Sequence, residues 1–123
     1  MIDASDSRLL AIGQRVYVEH CASCHGVNLE GQPAWRKRRA DGRLPAPPHD
    51  ASGHTWHHPD TVLIDIVGNG LVGRYAPPGY NSDMPGFANI LAEEEIRASL
   101  AYIKSTWPAA QRAHQAHVSR EMR

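Results

Sequence analysis

Apolar residues recur at helical spacing in three stretches of the chain, and no segment alternates in the manner of a strand. In the first stretch Leu9, Gly13, Val16 and Tyr17 fall at i, i+4, i+7 and i+8. Ser5 or Asp6 ahead of them supplies a cap, which predicts a helix running to about His20. Gly13 costs about 1 kcal/mol against Ala there, a cost that suits a face which a second backbone or ring must approach closely. The second helix opens at Pro59 and Asp60, turns Leu63, Ile66 and Val67 inward, and ends at Gly68, Asn69 and Gly70. The third starts near Ala92, where Glu93, Glu94 and Glu95 suit the positive end of the helix dipole. Ile96, Leu100, Ile103 and Trp107 then recur at i, i+4, i+7 and i+11, and Pro108 stops the run.

The segments between are rich in breakers. Residues 26 to 57 carry Gly26, Gly31, Pro33, Gly42, Pro45, Pro47, Pro48 and Gly53, so they read as a long loop, and a second loop runs to about Asn89. Loops of that length in a compact domain tend to wrap a ligand or serve function. Residues 108 to 123 are polar and helix-compatible but lack an apolar stripe, which divides the chain into a domain over 1–107 and a C-terminal extension over 108–123.

Composition sharpens the ligand argument. Ile, Leu, Val and Phe make up only 23 of 123 residues, a lean supply for a core. Disorder is the usual reading when such poverty accompanies high net charge, yet 13 basic and 13 acidic residues balance, and three Trp and four Tyr are present. Something besides side chains is expected to fill the core. The zero net charge removes any general drive toward nucleic acid or an anionic membrane. No apolar run has the length of a transmembrane span, and the N-terminus lacks the basic and apolar segments of a signal peptide, so the chain as written reads as soluble.

The chemistry concentrates at Cys21-Ala22-Ser23-Cys24-His25, directly after the first helix. C-x-x-C-H is the c-type haem attachment signature. One helical turn presents two thiols to the two vinyl groups of a haem while the adjacent imidazole reaches the iron. Three other readings compete. A thioredoxin-like redox pair needs a preceding strand and an α/β pattern, neither of which is visible. A zinc site would add ligands from His49, His54, His57 or His58 to the two sulfurs, and two inert thiols are the third option.

On these residues the chain resembles the class I mono-haem cytochromes c, over roughly residues 5 to 107. That family has an N-terminal helix with a glycine and then an aromatic one turn later, followed by the attachment motif, here Gly13, Tyr17 and Cys21 to His25. It also has a proline-containing loop, an axial methionine in a late loop, and a C-terminal helix bearing an aromatic; Pro47, Met84 and Tyr102 match in order. The resemblance implies an all-α fold of three main helices and long loops around one haem c, held through Cys21 and Cys24. It further implies that the first and last helices cross at Gly13 and Tyr102.

The resemblance also carries a ligand set. His25 is one axial ligand. Met84, in Asp83-Met84-Pro85-Gly86-Phe87, is the other, since Met1 and Met122 lie at the termini and the family uses a similar Met-Pro step. A hydrophobic plug is the plain alternative for Met84, and ligation by His49, His54, His57 or His58 the alternative for the iron. The family's His acceptor is a proline carbonyl in a Pro-x-Leu step, which leaves Pro47 and Pro48 as candidates, with His49 standing where Leu would be. Trp56 reads either as an indole donor to a haem propionate or as a core or rim residue. Tyr75, Tyr80, Asn81 and Arg43 are further propionate or pocket candidates.

Arg36-Lys37-Arg38-Arg39 is the one dense charge run, either a solvated loop or a docking patch for an acidic redox partner. The expected function is one-electron transfer between periplasmic or membrane-bound redox partners, by a monomer that is not an enzyme. Two alternatives stand beside it: a haem subunit docked on a larger dehydrogenase or oxidase, and a haem enzyme or gas sensor with a labile methionine. The resemblance implies a periplasmic location, because haem is attached after export.

Overall fold

The computed structural model describes residues 2–71, 75, 76, 80 and 82–121. Among these there are five α-helices and no strand. The helices are α1 (Ser7–His20), α2 (Ala22–His25), α3 (Asp60–Asn69), α4 (Glu93–Ser105) and α5 (Ala109–Glu121), with a 3-10 turn at Thr55–His57. The all-α expectation therefore holds.

Asp6 caps α1: its carboxylate accepts the amides of Arg8 and Leu9 at 3.0 and 3.2 Å. The helix buries Gly13, Val16 and Tyr17, and α4 packs against that face. A Cβ on Gly13 would stand 1.9 Å from the Ala98 carbonyl oxygen and 3.0 Å from the Tyr102 Cβ. Only a hydrogen at that position lets the two backbones approach, which is why a helix-weakening residue occupies the middle of α1. Four residues on, the Tyr17 and Tyr102 rings meet with centroids 5.5 Å apart. At the head of α4 the Glu95 carboxylate accepts the Ala92 amide at 2.9 Å.

Pro59 takes the N-cap of α3 rather than its first turn, and Gly70, at φ +84°, ends the helix. Leu63 of α3 joins Val16, Tyr17, Phe87, Ile96, Leu100 and Trp107 in the core. Beyond α3 the chain returns along the end of that helix, where the amides of Phe87 and Ala88 bond the carbonyls of Val67 and Gly68, both at 2.9 Å.

Residues 108 to 123 carry no apolar stripe because α5 packs through polar groups. Gln115 is fully buried, and its amide donates to the His58 carbonyl at 3.1 Å and to Asp60 at 2.7 Å. Ser119 accepts the Asp60 amide at 3.0 Å. Asp60 also accepts the Ile2 amide at 2.8 Å and the Lys104 ammonium at 3.1 Å. Lys104 donates in addition to the Ile2 carbonyl at 3.0 Å. The sequence suggests only a dipole role for Asp60, whereas the fold makes it the hub joining the N-terminus, α3, α4 and α5. Burial alone would raise its carboxyl; the bonds from Ile2, Gln115 and Lys104 outweigh burial and hold it below the usual range.

Candidate functional site

Cys21 ends α1 and caps α2, so the single turn of α2 swings Cys24 and His25 around from the end of the long helix. The turn is closed by the Tyr17 hydroxyl, which donates to the Gly26 carbonyl at 2.7 Å. The sequence marks Tyr17 only as an aromatic on the buried face; this second role depends on the fold of Gly26.

Both cysteines are free thiols, Cys21 half-buried and Cys24 exposed. Burial, with a lesser contribution from Cys24, pushes the Cys21 thiol up to about 11. A redox-active pair needs a depressed thiol pKa, so this environment disfavours the thioredoxin-like reading. The zinc reading fares no better: among the described residues no group of three or more His, Cys, Asp or Glu side chains is placed to hold a metal ion.

His25 is buried, and its Nδ1 lies 2.7 Å from the Pro47 carbonyl oxygen. A carbonyl only accepts, so Nδ1 carries the proton and Nε2 keeps its lone pair free for a metal. Burial pulls the imidazole pKa down, opposed by the Pro47 bond. Pro47 is presented by the long loop. The Gly31 amide bonds the His25 carbonyl at 2.7 Å, and a Cβ on Gly31 would sit 2.5 Å from the Pro48 nitrogen. Gly31, at φ +71°, thus fits both the backbone angle and the space that bring the proline pair against His25.

Cys21, Cys24, His25 and Met84 all line one cavity of about 400 Å³, whose walls include Leu63, Ile66, Val67, Phe87, Leu100 and Ile103. The inward face expected for α3 is thus a cavity wall. Met84 is half-buried, and its amide donates to the Ser82 hydroxyl at 3.1 Å.

The remaining candidates are distributed around this cavity. His49 packs on His25 with ring centroids 4.0 Å apart, and its Nδ1 lies 2.7 Å from the Thr55 hydroxyl. Rings in such contact leave no room for a macrocycle between them, which removes His49 as a ligand opposite His25. Its burial, and secondarily His25, lowers its pKa to about 3, so it is neutral. His54 and His58 also line the cavity.

Trp56 is not brought to the cavity wall: its indole donates to the Ala51 carbonyl at 3.0 Å and its ring stacks on His57 at 3.7 Å. The indole N–H is thus bonded within the loop that carries it, the arrangement of a rim residue. Tyr75 donates to Asp65 at 2.7 Å, and the Tyr80 hydroxyl accepts the Leu44 amide at 2.9 Å. Asn81 lies outside the described residues. Arg43 pairs with Asp83 at 2.7 Å, and Arg39 pairs with the same carboxylate. The bonds from Arg39 and Arg43 hold the Asp83 carboxyl below its usual range. In the basic run, Arg36 lies over the Trp35 ring at 4.3 Å and Arg38 over Tyr80 at 5.1 Å.

A family model described as Cytochrome c matches residues 10–107. The chain belongs to the cytochrome c family. The match takes in every described residue that lines the cavity. Cytochrome c domains hold haem c covalently and transfer electrons; they are carriers, not enzymes. The chain is also similar to a "Nitrite reductase" of Stutzerimonas stutzeri, 30% identical over 99 residues, covering 76% of this chain and 15% of that protein. A "Cbb3-type cytochrome c oxidase subunit CcoP" of Azospirillum sp. (strain B510) is 29% identical over 100 residues, covering 81% of this cytochrome and 29% of that subunit. The cytochrome thus spans less than a third of either relative. Among the described residues no helix is long and apolar enough to cross a membrane.

Proposed function

We propose that this cytochrome c holds one haem through thioether bonds from Cys21 and Cys24, with His25 and Met84 as axial ligands, in the manner of class I mono-haem members. The reading rests on the convergence of those four side chains on one apolar-walled cavity, with His25 Nδ1 bonded to Pro47. The donor set fits: two thiols one turn apart, an imidazole nitrogen free to ligate, and a thioether on the same cavity. Cys21 and Cys24 would hold the group by addition of each S–H across one vinyl C=C, a step that needs no oxidant. Bound haem supplies a one-electron Fe(III)/Fe(II) couple. The residues of the chain do the rest: His25 is oriented and made more basic by Pro47, Met84 would supply a thioether ligand to the iron, and Leu63, Val67, Leu100 and Ile103 would exclude water.

Such a site transfers electrons between redox partners. We assign the cytochrome to the periplasm as a monomeric carrier, with residues 1–107 as the haem domain and 108–123 as an outer brace. The cavity-lining residues run from His20 to Ile103, in keeping with that boundary. We assign the basic run at Arg36, Lys37, Arg38 and Arg39 as the docking patch for an acidic partner. Permanent association with a larger reductase or oxidase is the second reading, favoured by the alignment of this chain with only part of two such proteins.

The test is an intact mass and a pair of absorption spectra, oxidised and dithionite-reduced, on protein exported in a host with haem-attachment machinery. One haem retained after acid denaturation, with sharp low-spin bands and an oxidised-state Met–iron charge-transfer band lost in Met84→Ala, is the expected result. Protein without added mass overturns it.

A further inference from the structure

The basic run and the methionine loop are far apart in sequence and stitched together in space. A tight turn, closed by the Gly42 amide on the Arg39 carbonyl at 2.9 Å and the Arg39 amide on the Arg43 carbonyl at 2.8 Å, sets two guanidinium groups side by side. Two cations so placed repel unless an anion stands between them. That anion is Asp83, which takes Arg39 on one carboxylate oxygen and Arg43 on the other. The same two segments meet again where the Tyr80 hydroxyl accepts the Leu44 amide at 2.9 Å and Arg38 covers the Tyr80 ring.

Asp83 is the residue before Met84; with Arg39 it lines the same cavity as Met84, at its exposed side, whereas Met84 is half-buried. On the far side of Met84 the chain is anchored by the Phe87 and Ala88 amides on α3. Between these two anchors lie only Met84, Pro85 and Gly86, of which Met84 and Pro85 line the cavity. We propose that Asp83, bridging Arg39 and Arg43, is the positioning residue that straps the Met84 loop closed and so sets how readily the sulfur is displaced by an added ligand. The proposal rests on Met84 being the axial ligand.

The three side chains are 40 to 43% exposed, so their pairing weakens with salt and contributes little to global stability. Its effect falls on the local opening of the loop. The experiment is imidazole titration of the oxidised haem-loaded protein, followed by loss of the Met–iron charge-transfer band, at low and high salt. In Asp83→Asn, imidazole is expected to bind about threefold to tenfold more tightly at low salt. Raising salt should tighten imidazole binding in the parent and leave Asp83→Asn unchanged, and Asp83→Glu should recover part of the parental behaviour. The Soret band and thermal midpoint should stay where they are. Parental affinity and salt response in Asp83→Asn, with a change confined to Arg43→Gln, would overturn the strap and hand Arg43 to a propionate. A spectrum that Met84→Ala does not alter would remove the ligation reading and the strap with it; a normal Met84→Ala response beside an unmoved Asp83→Asn removes the strap alone.

Discussion

The knot around Asp60 and the cavity beside His25 both bury polar chemistry in a small helical protein, and they use it in opposite ways. In the knot, Asp60, Lys104, Gln115, Ser119 and the backbone of Ile2 bond to one another. Apart from the buried Gln115 Oε1, which has no partner among the described residues, their charges and hydrogen bonds are spent within the chain, and the result is mechanical: four segments are tied at one point. At the cavity, two thiols, an imidazole nitrogen and a thioether converge among aliphatic walls, and what they share is an affinity for a ligand. Buried polarity that closes on itself builds a scaffold; buried polarity that faces an apolar cavity builds a site.

The sharpest way to test that division is to break the knot. Asp60→Ala leaves the Lys104 ammonium buried without its partner, and removing one member of a buried ion pair costs about 3–5 kcal/mol. Urea unfolding should show a loss of that size while the haem bands and the Met–iron band keep their positions. Spectral change under native conditions would mean that the two regions are one mechanical unit.

The complementary change strikes the cavity's support. Gly31→Ala forces a Cβ toward the Pro48 nitrogen in a left-handed backbone, at a cost of about 1–3 kcal/mol. The larger consequence is chemical: loosening the His25 to Pro47 bond makes the imidazole a poorer donor to iron, so the reduction potential should rise. Redox titration of the variant checks the sign, and an unchanged or lower potential would dissociate Gly31 from the ligand's orientation.

A third prediction separates the regions by pH. The folded Asp60 carboxyl lies below its ordinary value of 3.8. A depressed carboxylate contributes stability that is fully present above 3.8 and is lost as pH falls through that value toward the folded pKa. Unfolding midpoints measured from about pH 5 downward should therefore fall, and the fall should be shallower in Asp60→Asn, whose side chain does not titrate. An equal slope in both proteins would place the acid sensitivity elsewhere.

How legible each region is in the sequence follows from what holds it together. The helix pair α1 and α4 is written in apolar spacing, and Gly13 stands out because a helix interior disfavours glycine. The attachment motif is local, so Cys21, Cys24 and His25 are legible as a unit. Met84 is reached through family resemblance and the small number of methionines. The knot leaves no comparable trace: Asp60, Lys104 and Gln115 are ordinary surface residues until the packing of α5 buries them, and periodicity in apolar residues says nothing about a polar interface. Trp56 reads from sequence either as a propionate donor or as a rim residue, and its indole bonds a carbonyl five residues earlier, a contact that no spacing announces. Pro47 and Pro48 could not be separated from sequence, because the choice depends on backbone contacts of Gly31 across the loop.

The smallest expected effect lies at the surface, where the basic run divides. Arg39 is drawn into the pairing with Asp83 beside the cavity, while Arg36 lies over Trp35 and Lys37 contributes a backbone turn to Ala34. Within the proposed docking patch Arg36 and Lys37 are therefore the charges not engaged with the methionine loop, and the contribution expected of them is to encounter rate rather than stability. Replacing both with Gln should leave the unfolding midpoint and the spectrum unaltered. It should slow reduction by an anionic reductant about twofold to fivefold at low ionic strength, with the difference vanishing near 0.5 M salt, where the screening length is only a few ångströms. Stopped-flow rates measured across ionic strength decide the matter. A parental salt dependence in the double variant would remove these two residues from docking and leave the cavity rim itself, not the charge run, as the surface that selects a partner.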